Sequence, residues 1–396
     1  MRQIVIFTPE TQTKIDKMNK MTVFLIIILT TFFACNKIED QDPISNTQIL
    51  YTMPEESAPH EGTWLQWPHQ YQYGITYRNS LDLTWIAMTK ALVTSEKVHI
   101  IAYDQTEKNR IIALLNAANV ALTNIDFKIY KTDDVWVRDN GPIYVKDKNG
   151  NLVIQDWGFN GWGNKTDAQT GLLIQSANCN LIPSKIALDQ DKVIVDINSI
   201  MTSEGGSVEM DGNGTLMACK SSILNDNRNP NMTQSQAESI YTKYLGVTNF
   251  IWLDGQAGLD ITDQHIDGFA IFGDQNTIVT MNQNDLLDYD VKQSDINKIY
   301  QAKKKDGTAY VFLKVPLTLN NVVTTSGTNL GYKGSYVNYY IANNKVLVPN
   351  YNDPNDVVAN GIIQTLYPTR LVIGIDVRNL YQNGGMVHCV TQQQPQ

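Results

Sequence analysis

Four polar residues, each close to a glycine-containing turn, recur along this chain at a near-constant spacing. Asp139 and Glu204 are 65 residues apart, Glu204 and His265 are 61 apart, and His265 and Cys389 are 124 apart, which is twice 62. A fixed period of this kind is typical of a repeated structural unit. The 348 residues from Ile49 onward have room for about five such units. Unrelated loops in one irregular α/β domain remain the alternative at this point.

From about residue 49 onward, short apolar strands alternate with helical patterns. Residues 97–103 are predicted to form a buried strand, and 106–118 carry apolar residues at helical spacing. Further strands are predicted at 127–130, 192–197, 215–219, 277–281, 310–315, 345–350 and 370–376, a strand–turn unit at 135–145, and helices at 233–245 and 354–366. This alternation predicts an α/β fold.

The first 34 residues have the pattern of a secretory signal peptide. Lys20 precedes the apolar run 23–34, which is shorter than the about 20 residues that a membrane span needs. The run ends at Ala34-Cys35, as in bacterial lipoprotein signals. We therefore expect Cys35 to be lipidated and the protein to be exported and anchored to a bacterial membrane, facing the periplasm or the surface. A plain cleaved signal or a short buried helix is the alternative.

The segments around this signal give two further expectations. Met18 or Met21 is a more natural start than Met1, because each places the signal pattern close to the N-terminus. Residues 35–48 are polar and acidic without periodicity, so we expect a flexible tether between the membrane and the folded domain.

Charge and composition narrow the class of partner. The formal net charge is −9, and the longest basic cluster is Lys303-Lys304-Lys305. An acidic chain without a basic face argues against nucleic acid as the main partner. The charge is compatible with a small cationic substrate. The sequence leaves the oligomeric state open, a homo-oligomer included.

The four cysteines lie at positions 35, 179, 219 and 389. With Cys35 lipidated, an oxidising compartment allows a Cys179–Cys219 disulfide without establishing it. Cys389 is then the odd thiol and a candidate nucleophile, which needs a nearby cation or histidine to become a thiolate. Neighbours on a strand point to opposite faces, so His388 is not expected to be that partner.

His265 and Asp267 are candidate partners of the thiol. The two residues are two positions apart, so on an extended segment both side chains would enter one site. Histidine titrates near neutral pH and suits acid–base catalysis. Metal binding, with Asp263 or Asp260 as further ligands, is the competing interpretation, although no second histidine lies at ligand spacing in the sequence.

Two further carboxylates lie beside glycine turns. Asp139 is expected to enter the site while Arg138 makes a structural ion pair, and Glu204 precedes two glycines. Either carboxylate could instead cap a turn.

Taken together, a thiol, a histidine and three carboxylates suit a guanidinium, a planar permanent cation that carboxylates bind in bidentate pairs. Its central carbon would stay open to sulfur, and its charge would stabilise a thiolate.

Seven segments, in order along the chain, resemble the agmatine deiminase family, which is related to the bacterial peptidylarginine deiminases. They are PHEGTWLQWPHQ (59–70), VWVRDNGP (135–142), EGGSVEMDGNGTL (204–216), NDNRNP (225–230), TDQHIDGFAIF (262–272), SYVNYYIANNKVLVPNY (335–351) and GGMVHCVTQQQP (384–395). The resemblance implies a single catalytic domain at 49–396. It implies a five-bladed α/β propeller of the pentein kind, built from pseudo-repeated ββαβ units around a central site.

The resemblance also implies an activity, the hydrolysis of agmatine to N-carbamoylputrescine and ammonia with no metal or organic cofactor. By motif position, Cys389 would be the nucleophile and His265 the general acid–base. Asp139 and Asp267 would bind the guanidinium, with Glu204 completing the set. Peptidyl or free arginine, giving citrulline, is the alternative substrate, and a non-catalytic surface lipoprotein is the alternative class.

Three positions bear on the substrate. Trp136 either packs on the substrate's alkyl chain or belongs to the core. Met386 stands where the family usually has asparagine, in GGNIHC, and Glu209 stands where histidine is common. These departures leave the chemical residues in place, so they affect the expected choice of substrate rather than the expected chemistry.

Overall fold

The computed structural model describes residues 47–167 and 171–396. The predicted signal segment 1–34, the lipidated Cys35 and the tether up to residue 46 therefore lie outside the described residues. Residues 47–396 form one compact unit. Within the described ranges, no helix is long and apolar enough to cross a membrane.

The strands are short and spread along the whole described chain. They are β1 Tyr51–Thr52, β2 His60–Gln66, β3 Lys97–Ala102, β4 Ile125–Ile129, β5 Ile143–Asp147, β6 Leu152–Asp156, β7 Ile194–Asp196, β8 Val208–Met210, β9 Thr215–Cys219, β10 Asn249–Leu253, β11 Ala270–Asp274, β12 Thr277–Thr280, β13 Val311–Lys314, β14 Tyr340–Ala342, β15 Lys345–Asn350, β16 Leu371–Asp376 and β17 Gln392–Pro395.

The helices lie between strands and include several single turns. They are α1 Gln70–Leu92, α2 Gln105–Ala117, α3 Val137–Asn140, α4 Gly161–Asn164, α5 Ile182–Asp189, α6 Lys220–Ile223, α7 Gln234–Leu245, α8 Gln283–Asp288, α9 Gln293–Tyr300, α10 Asn355–Leu366 and α11 Arg378–Tyr381. Short 3₁₀ turns are Cys179–Leu181, Gly205–Ser207, Ile266–Gly268 and His388–Val390.

The strands of the described residues form five sheets that share one connection pattern. In four of them an antiparallel pair is followed, after one or more helices, by a strand parallel to the second: β5-β6-β7, β8-β9-β10, β11-β12-β13 and β14-β15-β16. In the fifth, β17 pairs antiparallel with β2, which runs parallel to β3. The repeated ββαβ unit is thereby confirmed, and the closed propeller of these sheets remains a prediction.

Helix α7 shows how the sequence sets these boundaries. Thr233 caps its start through a reciprocal capping box with Gln236, and Gly246 ends it with φ 79° in the left-handed conformation. Ala237 and Tyr241, four residues apart, lie buried on the same face. The helix predicted at 233–245 is therefore confirmed, because its stop and start signals are local.

Two cysteines that could have formed a disulfide are buried and separate. Cys179 and Cys219 are both free thiols and belong to the largest apolar cluster of the core. Burial raises the pKa of Cys179 to about 12, which leaves it protonated and unreactive at neutral pH. The structure thus supports neither a disulfide nor a second reactive thiol at these positions.

Candidate active site

Each ββαβ unit carries a polar residue in the turn just before its first strand. Asp139 precedes β5, Glu204 precedes β8, His265 precedes β11, Asn338 precedes β14 and Cys389 precedes β17. The repeated unit therefore explains the regular spacing in the sequence. The double-length gap between His265 and Cys389 contains the fifth member of the series, Asn338, which lies 73 residues after His265 and 51 before Cys389.

Three of the candidate site residues lie in helical turns rather than in extended segments. Asp139 lies in α3, Asp267 in the 3₁₀ turn 266–268, and Cys389 in the 3₁₀ turn 388–390. The extended geometry expected for these segments is therefore wrong. Tight turns of this kind need a close approach of backbone to backbone: a Cβ on Gly141 would lie 2.2 Å from the carbonyl oxygen of the first residue of α3.

Cys389 is partly buried, and its thiol contacts two polar side chains. The thiol donates to Oδ2 of Asp267 at 3.8 Å, and Nδ2 of Asn338 donates to the sulfur at 3.3 Å. Burial and the neighbouring Asp267 and Asp139 carboxylates raise the pKa of Cys389 well above its usual value. In this environment the sulfur is therefore a neutral thiol at neutral pH.

His265, Asp139 and Asp267 converge on the backbone of Gly206. A Cβ at this glycine would lie 2.7 Å from Nδ1 of His265, 2.9 Å from Oδ1 of Asp139 and 3.0 Å from Oδ2 of Asp267. The Gly206 amide donates to Oδ1 of Asp139 at 3.0 Å. Glycine is required here because any side chain would displace the three groups, so the structure brings together the residues that the sequence predicted.

The charge state of His265 follows from its carboxylate neighbours. Nε2 lies 3.2 Å from Oε2 of Glu204, and Nδ1 lies 3.7 Å from Oδ1 of Asp139. Although burial alone would lower the pKa of His265, Asp139 and Glu204 raise it to about 9. At neutral pH the ring is therefore an imidazolium, which can act as an acid.

Glu204 is held by a buried arginine. Nε of Arg228 lies 2.8 and 2.9 Å from the two carboxylate oxygens, and both side chains are 0% exposed. Burial raises the pKa of Glu204, but Arg228 and His265 outweigh it, so the pKa is lowered. The geometry therefore assigns Glu204 to orienting His265, which corrects the expectation that it also contacts substrate.

The same arginine accounts for Asp263. Nη1 of Arg228 donates to Oδ2 of Asp263 at 2.6 Å, and Nζ of Lys165 pairs with Oδ1, also at 2.6 Å. Both oxygens of this carboxylate are thus bound to protein cations. The metal-ligand interpretation of Asp263 is not supported, since the residue completes a structural network behind Glu204.

Two tryptophans lie beside the site. The indole N–H of Trp162 donates to Oδ2 of Asp139 at 2.9 Å, from a backbone with φ 55°. Trp136 is 7% exposed and packs against Gly385, where a Cβ would lie 2.2 Å from its ring. Gly385 therefore leaves room for the Trp136 ring, which belongs to the largest apolar cluster of the core, and a contact of this ring with substrate stays a prediction.

A second histidine, His388, contacts the Asp267 carboxylate. Nδ1 of His388 is 2.9 Å from Oδ2 of Asp267, and Nε2 is 2.8 Å from Oε2 of Glu56. In the described part of the chain the thiol is hydrogen-bonded to Asp267 and Asn338 and not to His388, so His388 is not its direct partner, as expected. Arg138 pairs with Glu56 at 3.1 Å, which confirms its structural role.

Several of these residues were not singled out from sequence. Asn338, Arg228 and Glu56 each act on a residue that is more than 20 positions away, so local spacing does not reveal their partners. The signals that could have found Asn338 and Arg228 were the double-length gap and the segment NDNRNP.

Five ββαβ sheets and a thiol set beside two carboxylates and a histidine define a cysteine-dependent enzyme of the pentein class. A family model described as the Porphyromonas-type peptidyl-arginine deiminase matches residues 52–395. The chain belongs to this family.

Proteins of known sequence and structure agree with this assignment. The agmatine deiminase of Pseudomonas aeruginosa strain LESB58 is 31% identical over 363 residues, covering 87% of this chain and 95% of the relative. A Cys→Ser variant of the agmatine deiminase of C. jejuni, solved with substrate bound, is 26% identical with a TM-score of 0.71, covering 88% of this chain and 97% of that one. The Enterococcus faecalis enzyme, at 23% identity, has a TM-score of 0.74 and covers 91% of this chain and 100% of that one, which shows the shared fold.

Proposed function

We propose that the protein hydrolyses agmatine to N-carbamoylputrescine and ammonia. The observation that carries this proposal is the convergence of His265, Asp139 and Asp267 on Gly206, with the Cys389 thiol 3.8 Å from Asp267. Two carboxylates can hold the nitrogens of one planar guanidinium while the sulfur faces its carbon. The relatives named agmatine deiminase support the choice of substrate.

The first half of the reaction forms a covalent intermediate. The guanidinium brings a positive charge beside the neutral thiol, so substrate binding favours loss of the thiol proton to solvent and formation of the thiolate. The sulfur of Cys389 attacks the guanidinium carbon, and one C–N bond breaks. The His265 imidazolium gives its proton to the departing nitrogen, which leaves as ammonia.

The second half releases the product. His265, now neutral, takes a proton from a water molecule that attacks the same carbon. The C–S bond then breaks, which returns the thiolate and frees the ureido group. Glu204 keeps the ring in place through both halves, and Arg228 fixes Glu204.

The charges around the site favour an amine-tailed substrate over free arginine. The carboxylate of free arginine would need a cation of its own. Arg138, Arg228 and Lys165 are each already paired with buried or half-buried carboxylates of the protein. Agmatine has no carboxylate and therefore needs no such cation.

The test compares three substrates. The full chain is incubated separately with agmatine, free arginine and an arginyl peptide, and ureido product is measured. We expect agmatine to be preferred, and Cys389→Ala to lower its turnover by at least about 1,000-fold while binding persists. Activity only on the peptide, similar rates on all three substrates, or ammonia release by Cys389→Ala at the wild-type rate would contradict the proposal.

We also propose that the protein is exported and held on a bacterial membrane by a lipid on Cys35. The apolar run 23–34 followed by Ala34-Cys35 supports this proposal. Such an enzyme would meet external agmatine rather than the intracellular pool. Mass spectrometry of the mature N-terminus tests it, and an unacylated residue there would contradict it.

A further inference from the structure

We propose that His388 is a positioning residue, whose ring, held between Glu56 and Asp267, orients the Asp267 carboxylate for the guanidinium and offsets its charge beside the thiol. The inference rests on the proposed function and adds a residue to it. His388 directly precedes the nucleophile but acts through Asp267.

The contacts of the ring define its protonation. Each ring nitrogen faces a carboxylate oxygen, Oδ2 of Asp267 at 2.9 Å and Oε2 of Glu56 at 2.8 Å. Carboxylates only accept hydrogen bonds, so both nitrogens donate and the ring is an imidazolium. The His388 side chain is 5% exposed, and Arg138 holds Glu56 from the other side at 3.1 Å.

This arrangement fixes the orientation of Asp267. The oxygen that accepts from His388 is also the one nearest the Cys389 sulfur, at 3.8 Å. Within residues 47–167 and 171–396, the hydrogen bonds and ion pairs of the Asp267 carboxylate go to Oδ2, which leaves Oδ1 to accept from a guanidinium. A carboxylate fixed in this way presents one defined oxygen to the substrate, and pre-organisation of this kind lowers the cost of binding.

The ring also acts on the thiol by charge. Asp267 and Asp139 face Cys389 and disfavour its thiolate, and Tyr289 and Tyr381 form further titratable neighbours. The His388 cation lies against Asp267 and reduces this repulsion. Glu56 favours the cationic form of His388 and Arg138 opposes it, while Glu209, whose pKa burial raises to about 8, is a further titratable neighbour.

The test replaces His388→Gln in the full chain, which removes the charge and keeps a polar side chain of similar size. His99→Gln is the matched control, because His99 is also buried and lies between two carboxylates, Glu61 at 2.8 Å and Asp126 at 3.1 Å. We measure kcat and KM for agmatine. We also measure the pH midpoint of iodoacetamide alkylation of Cys389, followed by mass spectrometry of the tryptic peptide 379–396.

We expect His388→Gln to raise KM by roughly 10- to 100-fold with a smaller fall in kcat, because uniform binding is lost. We expect the alkylation midpoint to rise by about one pH unit, because a cation near the thiol is gone. His99→Gln should change neither quantity. The alkylation measurement needs no substrate, so it tests the effect of the His388 charge on the Cys389 thiol even if agmatine is not hydrolysed.

A second variant covers the case in which His388→Gln does not fold, as judged by circular dichroism. Glu56→Gln keeps a partner for Nε2 but removes the outer charge, and it should raise KM in the same direction by less. Values of KM and of the alkylation midpoint equal to those of His99→Gln would overturn the proposal. A lower midpoint, or a fall in kcat at unchanged KM, would overturn it as well.

Discussion

Arg228 and Glu204 form an ion pair with no exposed surface, in which Nε of the arginine lies 2.8 and 2.9 Å from the two carboxylate oxygens. Breaking such a pair leaves an uncompensated buried charge, which costs more than the pair itself contributes. The pair also affects catalysis indirectly, because Glu204 is hydrogen-bonded to His265.

Arg228→Leu should therefore destabilise the protein by about 3–5 kcal/mol, since Glu204 and Asp263 would each lose one buried charged partner and keep only His265 and Lys165, respectively. Urea unfolding at pH 7 measures this change. The control is Arg378→Leu, whose partner Asp376 is 52% exposed. An exposed pair contributes at most about 1 kcal/mol. Equal losses of unfolding free energy in the two variants would show that the buried pair contributes no more to stability than the exposed one.

Gly206→Ala tests the convergence of the catalytic groups. The added Cβ would lie within 3.0 Å of atoms of His265, Asp139 and Asp267, so these groups must move. We expect kcat/KM to fall by about 100-fold, because small misplacements of reacting groups are costly. Gly361→Ala in α10 is the control, since its Cβ would meet nothing within 4 Å, and it should leave activity unchanged. A Gly206→Ala enzyme as active as this control would refute the proposed geometry.

His265→Gln tests the general acid. Loss of a positioned acid–base group should lower kcat by about 100- to 10,000-fold. Because Asp139 and Glu204 raise the pKa of His265 to about 9, the wild-type free enzyme should also lose its acid form as the pH rises through about 9. The measurement is a pH profile of kcat/KM. Activity of His265→Gln within tenfold of wild type would assign the proton transfer to another group.

Glu209 should make stability depend on pH. Burial raises the pKa of this carboxyl to about 8, above the value of 4.5 that it has when free. Between these values the folded state keeps a proton that the unfolded state has lost, so the free energy of unfolding falls as the pH rises. Glu209→Gln removes this fall and should add roughly 1–3 kcal/mol at pH 8.5 and little at pH 5. Urea unfolding at both values measures it, and an equal gain at both would exclude titration as the cause.

How far the sequence predicts this structure depends on how local each signal is. Strands β9 and β15 have the predicted bounds, 215–219 and 345–350, because apolar runs between turn residues are local signals. Helix α2 begins and ends within one residue of the prediction. The regular spacing of Asp139, Glu204 and His265 correctly indicated a repeat, since a repeated unit leaves a period in the sequence.

What the sequence did not predict depends on contacts between distant segments. Tertiary packing, not local propensity, makes the turn around Cys389 a 3₁₀ turn rather than a strand. The correction to Glu204 has the same origin, because Arg228 lies 24 positions away. Nothing in the spacing of the motifs indicates that this carboxylate is already occupied.

The pairing of β17 with β2 also sets the order of events during synthesis. The indole of Trp64 in β2 is bonded to Gln394 in β17, 330 residues later. A ribosome working at about 5–20 residues per second needs roughly 15–70 seconds between the two strands, during which one edge of β2 has no partner. Cys389 is synthesised only at the end of this interval, and it is positioned when β17 pairs with β2. A nascent chain therefore has no assembled nucleophile, and the enzyme becomes chemically competent only once its first sheet is complete.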